Sequence, residues 1–216
     1  MSYEGFLRYS GGAYIAVGLG LLLFPKEWFP SFYDPVFMGS VALASPFLVY
    51  LPKMSVNADT PEKKRTVMKI RAMIMASLIM GGIGELGLYQ LYRIGFEYDK
   101  LAHFTISMLL TFMCVESLMA WKHSSFRKLL WLVAPSVLIA GILWEGLEAA
   151  SDTVFGTEVW GIYGSFIARD TLWDIYFNTF GILAGMIALL TRHPRAPREN
   201  RSFIRHVTRY RGACSR

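Results

Sequence analysis

The chain has 216 residues, of which 54% are hydrophobic and only 18% charged, with a net charge of +6 and a mean hydropathy of +0.36. A water-soluble fold of this length has too little interior to hide that much apolar surface, so composition favours a polytopic membrane protein. Two cysteines, Cys114 in an apolar run and Cys214 in a basic tail, exclude a disulfide framework and lack the spacing of a metal-binding cysteine motif.

Apolar runs predict six spans in chain order, near 9–24, 35–51, 72–94, 100–120, 129–151 and 171–191, most of them close to the length needed to cross ~30 Å of hydrocarbon. The fold class expected is therefore all-α: a single transmembrane domain over 1–191, followed by a basic tail over 192–216. The first run is short, but only Arg8 precedes it and no A-x-A cleavage pattern follows before Pro25, so it reads as a helix rather than a signal peptide. Between the second and third spans lies NADTPEKKR, where Asp59 or Thr60 is placed to cap a helix that begins at Pro61. The loops PKEWFPSFYD and TVFGTEVWGIYGSFIAR are rich in aromatic residues, as chain at a lipid–water boundary is. The second of them, 153–169, reads either as an interfacial or re-entrant lid or as an ordinary interface anchor.

Charge predicts orientation. With the N-terminus inside, every Lys and Arg except Lys26, Arg93, Lys100 and Arg169 falls on the inner side, which the positive-inside rule reads as six spans with both termini cytoplasmic. The positive balance then needs no nucleic acid: juxtamembrane arginines favour anionic inner-leaflet lipids. In the tail, Phe203, Ile204, Val207 and Tyr210 share one helical face and Arg201, Arg205 and Arg209 another, so this segment is either an interfacial helix or disordered. His123, His193 and His206 read as inner-surface residues, and Glu116 as a structural or interfacial charge.

Against this background the acids in WEGLEAASD stand out. At about 100° per residue, Glu145, Glu148 and Asp152 occupy an arc of roughly 60° on the fifth span. Asp170, Asp174 and Asn178 repeat the arrangement on the sixth span, as do Asp99 and His103 at the start of the fourth. With a rise of ~1.5 Å per residue, Asp99, Asp152 and Asp170 lie near the outer surface. His103, Glu148 and Asp174 fall about 6 Å deeper, and Glu145 and Asn178 about 10–12 Å down. Glu85, in the glycine-rich GGIGELG of the third span, is at a similar depth.

A charge in the membrane costs at least ~2.5–3.5 kcal/mol on insertion scales, and such residues face a bundle interior or a cavity. Carboxylates with one imidazole and an amide suit a divalent ion: Mg²⁺, Mn²⁺ or Ca²⁺ ahead of Zn²⁺, since one histidine is available. Asp99, His103, Glu148, Asp152, Asp170 and Asp174 are the expected metal ligands, with Glu145 as a buried acid or base and Asn178 orienting it. Without a cation, crowded carboxylates share protons and form a relay. A further alternative is that Lys100, Arg93 and Arg169 neutralise some of the acids while the rest are solvated helix ends.

Three stretches carry a family resemblance: YDKLAHF, the acidic fifth span, and DTLWDIYFNTFGILAG. They resemble the VanZ-like and YjdF-type bacterial membrane proteins over residues 99 to about 187, through Asp99-Lys100-x-x-His103-Phe104, then Glu145 and Glu148, then Asp170, Asp174, Asn178, Gly181 and Gly185. The resemblance implies a multi-pass protein of the bacterial inner membrane with a cell-envelope role. The expected function is metal-assisted binding or chemistry on a lipid headgroup or envelope precursor. The alternatives are a transporter for a small cation or cationic substrate, and a non-catalytic envelope assembly protein.

Overall fold

The computed structural model describes residues 2–28, 35–55, 57–121, 125–155 and 167–192. The proposed lid over 153–169, the inner-surface histidines and the amphipathic tail segment fall wholly or largely outside these residues. The chain groups into two compact units, Met1–Met186 and Ile187–Arg216, and among the described residues the buried polar ones all lie in the first.

Helix α1 (Tyr3–Leu23) opens with Ser2, whose side chain accepts from the Gly5 amide at 3.1 Å, one of the orphan donors that a helix start must satisfy. It packs on α2 (Pro35–Leu48) through a reciprocal pair of glycines. A Cβ built on Gly18 would lie 2.9 Å from the Gly39 carbonyl, and one on Gly39 3.0 Å from the Gly18 carbonyl, so the two backbones nearly touch, as small residues permit in lipid.

Pro46 lies inside α2 and lacks the amide its turn needs, and the helix ends two residues later. A short helix, α3 (Leu51–Ser55), follows. The buried Arg71 of α4 (Pro61–Glu85) steadies this break: its Nε donates to the Val49 carbonyl at 3.1 Å, and its guanidinium lies 4.8 Å from the centroid of the Tyr50 ring.

The predicted cap is present at α4, where Thr60 accepts from the Lys63 amide at 3.2 Å and Pro61 opens the helix. Beside it, the Lys63 ammonium bonds Asp59 at 2.8 Å and holds that exposed carboxyl below its ordinary range. The apolar run over 72–94 is not one helix. It stops at Glu85 because Gly87 takes a φ of +125°, and Leu88–Ile94 forms a 3-10 turn that Gly95 closes at φ +83°.

Helices α5 (Tyr98–Trp121), α6 (Phe126–Phe155) and α7 (Ile167–Arg192) complete the order. Among the described residues, six helical stretches are long and apolar enough to cross a membrane: Tyr3–Leu23, Pro35–Met54, Pro61–Glu85, Tyr98–Trp121, Phe126–Val154 and Ala168–Arg192. Among the described residues there is no strand.

The polarity is the reverse of a soluble protein. Leu143, Leu147, Trp131 and Phe47 are exposed, whereas Lys100, Ser107, Thr111, Glu145, Asp174 and Asn178 are buried. Lipid solvates the first group, and only the bundle interior can satisfy the second.

Candidate functional site

Each of α5, α6 and α7 presents an inward face whose polarity changes along its length. On α5, buried Lys100, Ser107, Thr111 and Val115 follow one another at helical spacing. On α6, Leu130, Val133 and Val137 are buried and lead through Gly141 to Glu145. On α7 the face runs Asp174, Asn178, Ile182. The polar ends of the three faces meet, and on each helix buried apolar positions follow beneath them.

Two nitrogen-bearing side chains, Lys100 and His103, organise the polar end. The Lys100 ammonium, 6% exposed, donates to Asp170 Oδ1 at 2.6 Å, Asp174 Oδ1 at 2.7 Å and Asp99 Oδ2 at 3.2 Å. His103 Nε2 lies 3.4 Å from Asp99 Oδ1, 3.6 Å from Asp174 Oδ1 and 3.8 Å from Glu145 Oε1. Asp99 therefore divides its two oxygens between Lys100 and His103, and Asp174 serves both. One turn deeper, the Ser107 hydroxyl donates to Asn178 Oδ1 at 2.6 Å. A Cβ on Gly141 would come 2.8 Å from the Asn178 Nδ2, so this glycine leaves room for the amide. Glu145 Oε1 and Asn178 Nδ2 are buried without a hydrogen-bond partner, and each such group costs a desolvation penalty until something pairs with it.

Close contact between α5 and α7 sets this geometry. A Cβ on Gly181 would overlap the Phe104 backbone carbonyl, and one on Gly185 would sit 3.0 Å from Thr111 Cβ. Only at this separation does the short Asp174 side chain reach both Lys100 and His103.

Of the residues singled out from the sequence, Asp99, His103, Glu145, Asp170 and Asp174 come together, with Asn178 just below. Glu148 is half-buried and accepts from its own helix, from Trp144 Nε1 at 2.5 Å, while remaining within electrostatic reach of His103 and Asp99. Asp152 is one turn farther along α6 and engaged in interactions of its own. Glu85 lies at the α4 edge of the cluster, where the Tyr89 phenol is pushed above its ordinary range by burial and then by Asp99, Glu85 and Glu148. Glu116 pairs with Lys69 at 3.2 Å, far along α5 from the acids.

Lys100 was weighed from the sequence as one of the cations that neutralise the acids, and it does so for Asp99, Asp170 and Asp174; Ser107 and Thr111, the continuation of its stripe, were not singled out. Their 100, 107, 111 spacing on the His103 side of the helix was the available signal.

A family model described as a predicted membrane protein (DUF2238) matches residues 15–195. The chain belongs to this family. The match takes in all of the clustered residues and the chain before them from within α1 onward. Neither a curated protein nor a solved structure matches the chain. The family description establishes a membrane protein and assigns no activity.

Proposed function

We propose that the cluster is a headgroup site in a bacterial inner-membrane protein, that it opens toward the outer leaflet, and that it holds the phosphate of a lipid or lipid-linked envelope precursor. The observation that carries this reading is the blind end of the polar column. Polar groups descend from Lys100 to Thr111, and buried Phe112 and Val115 on α5, with Val133 and Val137 on α6, lie beyond them. A transporter needs a polar route through the other half, and the packing there favours a site entered from one side. Orientation rests on the positive-inside bias, and the envelope setting rests on the VanZ-like and YjdF-type resemblance at 99–187. A phosphate among so many carboxylates needs a cation between them, a role for which the imidazole and acids of the site are suited.

Orientation is tested in a background lacking Cys114 and Cys214. A cysteine at Thr157 should react with a membrane-impermeant maleimide in intact cells, and one at His123 only after permeabilisation. The opposite pattern removes the outer-leaflet reading.

Ligand class is tested by native mass spectrometry of the purified protein with phosphatidic acid, undecaprenyl phosphate or phosphate-free diacylglycerol. Wild type should retain the phosphate-bearing lipids, and Asp174→Asn should weaken retention about tenfold, the equivalent of ~1.4 kcal/mol. Equal retention of diacylglycerol, or undiminished retention by the variant, rejects the headgroup reading.

A further inference from the structure

We infer that Asp99, His103, Asp174 and Glu145 form a binding site for a divalent transition-metal cation, with Mn²⁺ its expected occupant. The inference takes its purpose from the headgroup reading, as the bridge between phosphate and carboxylates, but cation binding itself is measurable without lipid.

Three carboxylate oxygens surround His103 Nε2 at 3.4, 3.6 and 3.8 Å, and Asp99, His103 and Asp174 offer ligand atoms that all lie within 4.8 Å of one another. These separations are long for hydrogen bonds. They approach the edges of a coordination polyhedron: nitrogen and oxygen ligands at about 2.0–2.2 Å from a metal stand roughly 2.8–3.1 Å apart in an octahedron and roughly 3.3–3.6 Å apart in a tetrahedron. A contraction of a few tenths of an ångström brings the three edges at the imidazole to coordination length.

An unsatisfied ligand atom gives a second, independent indication. The Glu145 side chain is only 6% exposed, and its Oε1 is buried without a hydrogen-bond partner, 3.8 Å from His103 Nε2. A carboxylate oxygen so placed is costly unless a positive group meets it.

The resident ammonium cannot be that group, because Lys100 directs its donors to Asp170, Asp174 and Asp99. With those acids and Glu145 ionised, four carboxylates face one lysine, and a divalent ion removes most of the imbalance. Asp99 is already divided to suit, with Oδ2 on Lys100 and Oδ1 toward His103.

Donor chemistry narrows the ion. One imidazole among carboxylates is softer than Mg²⁺ or Ca²⁺ sites usually are and lacks the thiolates of structural Zn²⁺ sites, a mixture that suits Mn²⁺. Asp170, committed to Lys100, and Glu148, held by Trp144, stand outside the ligand set.

The test uses the full chain, purified in detergent and stripped with chelator. Wild type should bind a single Mn²⁺, read as loss of the free-ion electron paramagnetic resonance signal, with Zn²⁺ competing for the same site. His103→Ala and the isosteric Glu145→Gln should each weaken binding tenfold or more, while Glu116→Gln, at the Lys69 pair, binds as wild type. Size-exclusion profiles and thermal melts identify any variant that has not folded, and Glu145→Gln, which preserves shape, decides the matter if His103→Ala is lost.

The inference is overturned if wild type binds neither ion up to about 1 mM, the weak end of protein cation sites, or if Glu145→Gln binds as wild type. If Mn²⁺ binds as described but phosphate-bearing lipids are not retained, the headgroup reading fails and the cation site stands. If wild type binds neither ion but retains those lipids with chelator present, the headgroup reading stands and the inference fails alone.

Discussion

Lys100→Met is expected to lower the thermal midpoint of the purified protein by about 6–20 °C. The substitution keeps most of the aliphatic stem and removes the ammonium that donates to Asp99, Asp170 and Asp174. Breaking a buried ion pair from one side costs ~3–5 kcal/mol, because the partner charges stay buried without compensation. For a chain of this size each kcal/mol is worth roughly 2–4 °C. Neutralising the partners should restore much of the loss, so Lys100→Met with Asp170→Asn and Asp174→Asn should melt well above Lys100→Met alone. A single variant that melts within experimental error of wild type would show that Lys100 is solvated and that the network is not a structural hub.

The second large effect concerns a glycine. Gly181→Ala should destabilise by about 3 kcal/mol, at the upper end of overpacking costs, because the added methyl meets the Phe104 backbone carbonyl. A flexible side chain could swing away, but a helix backbone has to move as a unit. The α5–α7 spacing would widen and carry Asp174 away from Lys100 and His103, so Mn²⁺ binding should weaken along with stability. Gly146→Ala on α6 is the matched control, since a Cβ there meets nothing within 4 Å; it should melt at or slightly above the wild-type temperature. If the two variants behave alike, the close approach of α5 and α7 is not tight in solution.

Much of this organisation was legible in the sequence. The apolar runs marked six crossings, Thr60 and Pro61 marked the start of α4, and the spacing of Asp170, Asp174 and Asn178 placed them on one face. Partner identity was not legible. Lys100 follows Asp99 directly, and periodicity alone gives no reason for its ammonium to reach Asp174 on another helix rather than water. Glu148 had the same spacing credentials as Glu145, but Trp144 captures it locally at i,i+4, a competition that face arithmetic does not weigh. The run over 72–94 looked continuous because hydropathy registers Gly87 only as mildly apolar, whereas its positive φ ends the helix. Rotation and register between helices are set by contacts such as Gly181 on Phe104, and these depend on pairs of residues that no single periodicity contains.

The ion network also orders the protein's biosynthesis. Helix α5 emerges from the ribosome well before α7, carrying Lys100 and His103 into a membrane that does not yet contain Asp170 or Asp174. Helix α7 in turn brings two aspartates and an asparagine that lipid alone accommodates poorly. Each segment is a weak client of the translocon by itself, and together they neutralise one another. The growing chain must therefore hold α5 beside the insertion machinery, or shield it with α4 and α6, until the last helix arrives. A nascent chain stopped before residue 167 leaves Lys100 with Asp99 as its one hydrogen-bonded carboxylate, and quality-control proteases should find such a fragment readily.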